Sequence, residues 1–159
     1  MKYQEINNLI SDFPETVHDL IDLFCGEYIG SGTTRSVYVF RYDPEWVIKI
    51  ENDNACGDNW AEWRVWSTVC HTTDGTKDWF AECGWISTGG KVMLQRRTKP
   101  LSTREKHIPE KIPAWFTDIK EDNFGWIGKK LVCHDYSLCI ERFSYFALKP
   151  SKLIKFNYE

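Results

Sequence analysis

Asp118-Ile119-Lys120-Glu121-Asp122-Asn123, followed by Asp135-Tyr136-Ser137, is the stretch around which this chain is organised. Between the two motifs lie short apolar runs, Phe124 to Ile127 and Lys130 to Cys133, joined at Gly128-Lys129. Glycine permits a tight reversal there, so the pattern predicts a two-stranded ribbon that folds Asp135 back toward Asn123. Asp118, Asn123 and Asp135 then converge as oxygen ligands or acceptors. Magnesium takes hard oxygen ligands, and only one or two of them from protein when phosphate and water supply the rest. Asn123 and Asp135 suit that role, which leaves Asp118 to accept a hydrogen bond from an incoming hydroxyl. By itself, the D-x-x-x-x-N spacing also fits a polar surface loop beside an ordinary hairpin.

Upstream, three strand-like runs near 27–30, 36–41 and 46–51 form a meander, with turn residues at Ser31-Gly32 and Asp43-Pro44. Gly30 and Gly32 let backbone N–H groups approach a phosphate without a Cβ in the way. Lys49 sits in the apolar run Trp46-Val47-Ile48-Lys49-Ile50, where a buried ammonium requires a counter-charge. Asn59 to Val69 reads as a helix whose Trp60, Trp63 and Trp66 form a stripe facing the sheet, with Glu62 beside it. Trp79 to Gln95 reads as a hairpin turning at Thr88-Gly89-Gly90.

Taken together, these elements resemble the protein kinase family from about Tyr28 to about Ser137. Asp118 to Asn123 matches the catalytic loop D-[LI]-K-x-x-N, and Asp135-Tyr136-Ser137 sits where the family has D-F-G. Ile29-Gly30-Ser31-Gly32-Thr33-Thr34-Arg35-Ser36-Val37-Tyr38 is similar to the glycine-rich loop, with Arg35 in place of its third glycine. Val47-Ile48-Lys49-Ile50 resembles V-A-I-K. The resemblance implies that Lys49 holds nucleotide phosphates with Glu62 as its ion-pair partner. It further implies that Gly30, Ser31, Gly32, Arg35 and Val37 cover ATP, and that Asn123 and Asp135 hold magnesium. Met93 would be the gatekeeper, and the backbone of Leu94, Gln95 and Arg96 would meet adenine. The implied fold is α+β: an antiparallel five-stranded N-lobe sheet with one main helix, a hinge and a strongly reduced C-lobe. The expected division is a helical segment over 1–26 packing on the sheet, the N-lobe over 27–96 and the truncated C-lobe over 97–159.

The departures are as informative as the matches. Between Gln95 and Asp118 there is space for one short helix, around Thr103 to Lys111, and Phe116-Thr117 replaces the usual His-Arg. After Asp135 no A-P-E motif follows, and too little chain remains for a peptide-substrate platform. A last strand or helix near Lys149 to Lys155 would close the lower edge. Such reductions resemble those of small kinase-like proteins carried by bacteriophages and other mobile elements.

With 159 residues, 42% hydrophobic and 27% charged, the chain is globular. A net charge of -3 gives no electrostatic footprint for nucleic acid. Six cysteines without a C-x-x-C pair or zinc-like spacing read as reduced thiols. A polar N-terminus and the lack of a membrane-length apolar run lead us to expect a cytoplasmic protein with no membrane partner. The activity implied is ATP- and magnesium-dependent phosphoryl transfer resembling a serine/threonine protein kinase, acting on a host protein. Two alternatives stay open. One is a non-catalytic kinase-fold module, a pseudokinase, that binds and inhibits a host protein; the other is a small-molecule kinase. Oligomeric state is not legible in the sequence.

Overall fold

The computed structural model describes residues 21–101, 108–139 and 153–155. The expected helices between Gln4 and Phe24 lie outside the described residues except for 21–24, which are helical. The chain divides into two compact units, residues 1–60 with 83–97, and residues 61–82 with 98–159.

The first unit is built on a five-stranded antiparallel sheet of β1 (Cys25–Ser31), β2 (Arg35–Phe40), β3 (Trp46–Glu51), β4 (Cys83–Ile86) and β5 (Val92–Arg96), in the order β1-β2-β3-β5-β4. Val37, Val39, Val47, Ile48 and their aromatic neighbours suit a pleated, half-buried surface, which is why β2 and β3 form here. Directly opposite residues in such a sheet share a face. Gly30 lies opposite Val37, Val37 opposite Lys49, Lys49 opposite Met93, and Met93 opposite Ile86. These residues therefore form one row across the whole sheet. On the same face Arg35, Val39, Val47, Cys83 and Gln95 are buried.

Helix α1 (Asp58–Val69) follows β3, and the boundary between the units falls inside it, after Trp60. Glu51 accepts the Asn59 backbone N–H at 2.7 Å, placing a carboxylate at the helix N-terminus, where the helix dipole favours it. The tryptophan stripe is not the face that α1 buries. Its buried residues are Asn59, Glu62, Val65 and Val69, whereas Trp60 is 40% exposed and Trp63 and Trp66 are half-buried. The two faces differ by one residue step, about 100° of rotation. Apolar periodicity picks the wrong one because half of the buried face is polar. Asn59 satisfies that burial by donating from Nδ2 to the carbonyls of Lys49, Gly90 and Lys91 at 3.3, 2.9 and 3.3 Å.

The second unit carries a three-stranded sheet in the order β6-β8-β9, formed by β6 (Lys99–Pro100), β8 (Phe124–Ile127) and β9 (Lys130–Cys133). Gly128 turns the β8–β9 hairpin at φ +61°. A Cβ on Gly125 would stand 2.7 Å from the Lys99 carbonyl oxygen, so glycine is what lets β6 approach β8. A separate ladder pairs β7 (Lys111–Pro113) with β10 (Leu153–Lys155), the latter inside the tail expected to form a last element. Lys111 thus opens a strand instead of ending a helix, and most of the helix expected around Thr103 lies outside the described residues. The core of this unit is aromatic: Phe80 packs on Trp115, Phe116 and Tyr136, and Phe116 packs on Phe124.

Candidate functional site

In the second unit the loop from Asp118 to Asn123 and the end of the hairpin meet at Asn123. This residue closes a short 3-10 turn over Glu121–Asn123 and is 8% exposed. Its Nδ2 donates to the Asp118 carbonyl at 3.0 Å. Its own carbonyl accepts the His134 N–H at 2.8 Å and the Asp135 N–H at 3.4 Å. Asp118, Asn123 and Asp135 are thereby tied together through one residue. A carbonyl accepts only from a donor, so Nδ2 is fixed on Asp118 and Oδ1 is the acceptor end of the amide.

His134 strengthens the same corner. Its Nε2 lies 2.8 Å from the Asp122 carbonyl and must donate there, while Nδ1 meets the Thr98 hydroxyl at 2.9 Å. The residue after Asp135 is anchored as firmly. Tyr136 is 1% exposed, donates its hydroxyl to the Ala81 carbonyl at 2.7 Å, and donates its backbone N–H to Glu62 Oε1 at 3.4 Å. Glu62, 0% exposed, is thus in contact with the segment that carries Asp135. Ser137 opens another 3-10 turn, Ser137–Cys139.

Asp118 itself remains accessible, its side chain 33% exposed, with the Lys120 ammonium 3.1 Å from Oδ2. Motif reading passed over Lys120 as a site residue, although its position two residues after Asp118 puts the ammonium beside the carboxylate. Among the described residues, no group of three or more His, Cys, Asp or Glu is placed to hold a metal ion. Asp135 and Asn123 supply a carboxylate and an amide oxygen, the donor types that magnesium takes.

In the first unit, Gly30, Val37, Lys49 and Met93 share the transverse row, and Arg35 and Gln95 flank it on the same face. Lys49 is 4% exposed and Met93 0%. A Cβ on Gly30 or Gly32 would meet nothing within 4 Å, and neither glycine has a positive φ. Nothing among the described residues therefore requires glycine at these positions. Gly90 is the opposite case: at φ +74° its Cβ would stand 2.2 Å from Trp60 Cδ1.

Three of the residues expected to meet nucleotide fall differently. Leu94 pairs with Ile48 and Trp85, so its side chain occupies the other face. Ser31 ends β1 opposite Ser36, off the row. β5 has a strand on each side, with Leu94 and Gln95 paired to both β3 and β4, so their main chain is occupied by the ladder and is not open to a base. Lys49 and Glu62 belong to the first and second unit respectively.

No helix among the described residues is long and apolar enough to cross a membrane. Compared with known protein families and with curated proteins, the chain matches none.

Proposed function

We propose that this protein is an ATP- and magnesium-dependent phosphotransferase with a reduced protein-kinase-like architecture, its acceptor a hydroxyl group on a protein. The observation that carries this reading is the junction at Asn123. Asn123 meets the Asp118 carbonyl through its side-chain amide and the Asp135 N–H through its main-chain carbonyl, while the next residue, Tyr136, is held by fully buried Glu62.

Phosphoryl transfer is mainly a matter of positioning and charge. In this reading Lys49 binds the phosphates, and the open space beside Gly30 and Gly32 admits them to the backbone of the loop. Asn123 and Asp135 hold magnesium, which when bound neutralises charge on the phosphate oxygens. Asp118 accepts the hydrogen bond of the acceptor hydroxyl and then its proton, as that oxygen forms its bond to the γ-phosphorus and the bond from the γ-phosphorus to the β,γ-bridging oxygen breaks, with ADP as the leaving group. Lys120 fixes the Asp118 carboxylate and presents a positive charge where charge develops on the transferred group. The base is met by the chain beyond the ladder, after Arg96, since Leu94 and Gln95 lie within it.

The test is a thermal-shift titration with ATP, with and without magnesium, on wild type and Asp135→Ala. Ligand at one hundred times Kd raises apparent stability by about 2.7 kcal/mol. The expected result is a magnesium-dependent shift that the variant loses, accompanied by transfer of labelled phosphate that Asp118→Ala abolishes. Absence of any shift at millimolar ATP sinks the reading. A shift without transfer to any protein moves it to a nucleotide-binding pseudokinase.

A further inference from the structure

We propose that His134 is a positioning residue for the metal site, its ring fixing the turn that carries Asp135 against the loop that carries Asn123, so that the two ligands are preset for magnesium in preference to a larger cation. This rests on the function proposed above and adds to it a residue outside the motifs, together with the partner that orients it, Thr98.

The clamp begins at the short 3-10 turn over Glu121–Asn123. A helical turn leaves its last carbonyls without partners inside it. The Glu121 carbonyl takes the Phe124 N–H, and the next two, those of Asp122 and Asn123, both meet His134. The His134 backbone N–H donates to the Asn123 carbonyl at 2.8 Å, and ring Nε2 donates to the Asp122 carbonyl at 2.8 Å. The N–H groups of His134 and Asp135 converge on the one Asn123 carbonyl, which would act as a pivot if it were the whole attachment. The ring bond to the neighbouring carbonyl removes that rotation.

The ring is in turn oriented by a contact for which the chain makes room. With the proton on Nε2, Nδ1 of the neutral imidazole accepts from the Thr98 hydroxyl at 2.9 Å. A Cβ on Gly125 would stand 2.7 Å from both Cβ and Oγ1 of Thr98, so the glycine in β8 is what admits the threonine side chain. On the far side of the hairpin end, the Cys133 thiol donates to the Asp135 carbonyl at 3.2 Å, while Glu62 and Ala81 hold Tyr136. The main chain of Asp135 is therefore fixed from both sides, and Asp135 itself is only half-buried. Ligands held at one spacing suit magnesium, which demands near-ideal octahedral geometry, better than calcium, whose coordination shell is longer and more flexible. Removing a residue that orients a ligand from behind typically changes metal affinity by about 10–100-fold.

The competing account makes His134 only a cap of the 3-10 turn, contributing stability and nothing to the metal. Calorimetric titration of the full chain with ATP in magnesium and in calcium, below the melting temperature of each protein, separates the two for wild type, His134→Ala, His134→Gln, Thr98→Val and Thr98→Ser. The proposal expects wild type to bind ATP more tightly in magnesium than in calcium, and His134→Ala to shrink that ratio about tenfold or more by weakening the magnesium complex. His134→Gln, which keeps a donor for the Asp122 carbonyl, and Thr98→Ser, which keeps the hydroxyl, should retain most of the ratio, whereas Thr98→Val should not. A His134→Ala protein with a lowered melting temperature but an unchanged ratio overturns the proposal. If His134→Ala does not fold, the threonine variants decide: equal ratios in Thr98→Val and Thr98→Ser overturn it. Failure of wild type to bind ATP in either ion removes the proposed function itself, whereas ATP binding without preference between the ions removes only the role of His134.

Discussion

The Asn123 side chain and the Asp118 main chain are joined by a 3.0 Å hydrogen bond, made by the residue whose carbonyl also receives the Asp135 N–H. In the proposed function, structure and chemistry coincide in Asn123. Asn123→Ala is expected to lower stability by about 1–2 kcal/mol, through a lost hydrogen bond to a nearly buried partner, and to abolish the magnesium dependence of ATP binding. Asp135→Ala keeps the backbone tie and is expected to lose the magnesium effect at smaller cost in stability. Urea denaturation beside the thermal-shift titration checks both; equal stability losses would count against the Asn123 junction.

Gly30 and Gly90 are expected to behave oppositely when replaced by alanine. Gly30→Ala should change stability by less than about 0.5 kcal/mol, because the added methyl meets open space. Gly90→Ala should cost about 1–3 kcal/mol, because its Cβ collides with the Trp60 ring at a positive φ. In the proposed function only the first substitution weakens ATP binding in a protein that remains fully stable. Unchanged ATP affinity in Gly30→Ala would remove the loop from the nucleotide site.

Glu62 offers a stability test that does not depend on ligand. With its carboxylate fully buried and accepting the Tyr136 N–H, Glu62→Ala is expected to cost about 2 kcal/mol by leaving buried donors unsatisfied. Glu62→Gln keeps an acceptor oxygen and similar volume, and its cost should be smaller. Denaturation midpoints at matched m-values read the difference.

Burial pushes the Cys25 thiol up from its ordinary 9.0 to about 11, against the lowering effect of Arg41. Burial also raises Cys133 well above that ordinary value, with Cys139 adding to the effect. These thiols hold their protons more tightly in the folded state, so their contribution to stability is complete below pH 9.0 and is lost as pH rises through about 11 for Cys25. Cys25→Ala is expected to flatten the loss of stability in that alkaline window. At neutral pH a thiol reagent should label exposed Cys56 first and reach Cys25 and Cys133 only on unfolding. Rapid labelling of Cys133 in the folded protein would contradict its burial.

Legibility in the sequence followed the range of the interactions. The β8–β9 hairpin matches the expected Phe124 to Ile127 and Lys130 to Cys133, because Gly128 and two short apolar runs specify it locally. β3 is equally plain as an apolar run. By contrast, β7 contains Pro113 and pairs with Leu153–Lys155, a partner far along the chain, so no local pattern announces β7, while β10 falls in the tail expected to form a last strand or helix. The α1 face was misread because Asn59 and Glu62 are buried through hydrogen bonds that periodicity cannot register. The candidate site was legible as residue types in order. The ladder around β5, which occupies the main chain of Leu94 and Gln95, depends on which strands become neighbours and was not.

Because the second unit takes residues 61–82 from the middle of the chain and 98–159 from its end, its parts leave the ribosome at different times. The sheet of the first unit has all of its strands once Arg97 is made. Val65, Val69, Phe80 and Ala81 are made by then as well, with Cys133 and Tyr136, the hydrogen-bond partners of Ala81, still unsynthesised. An early translational stop after residue 97 would therefore leave an apolar segment without its core, a natural target for chaperones or proteases.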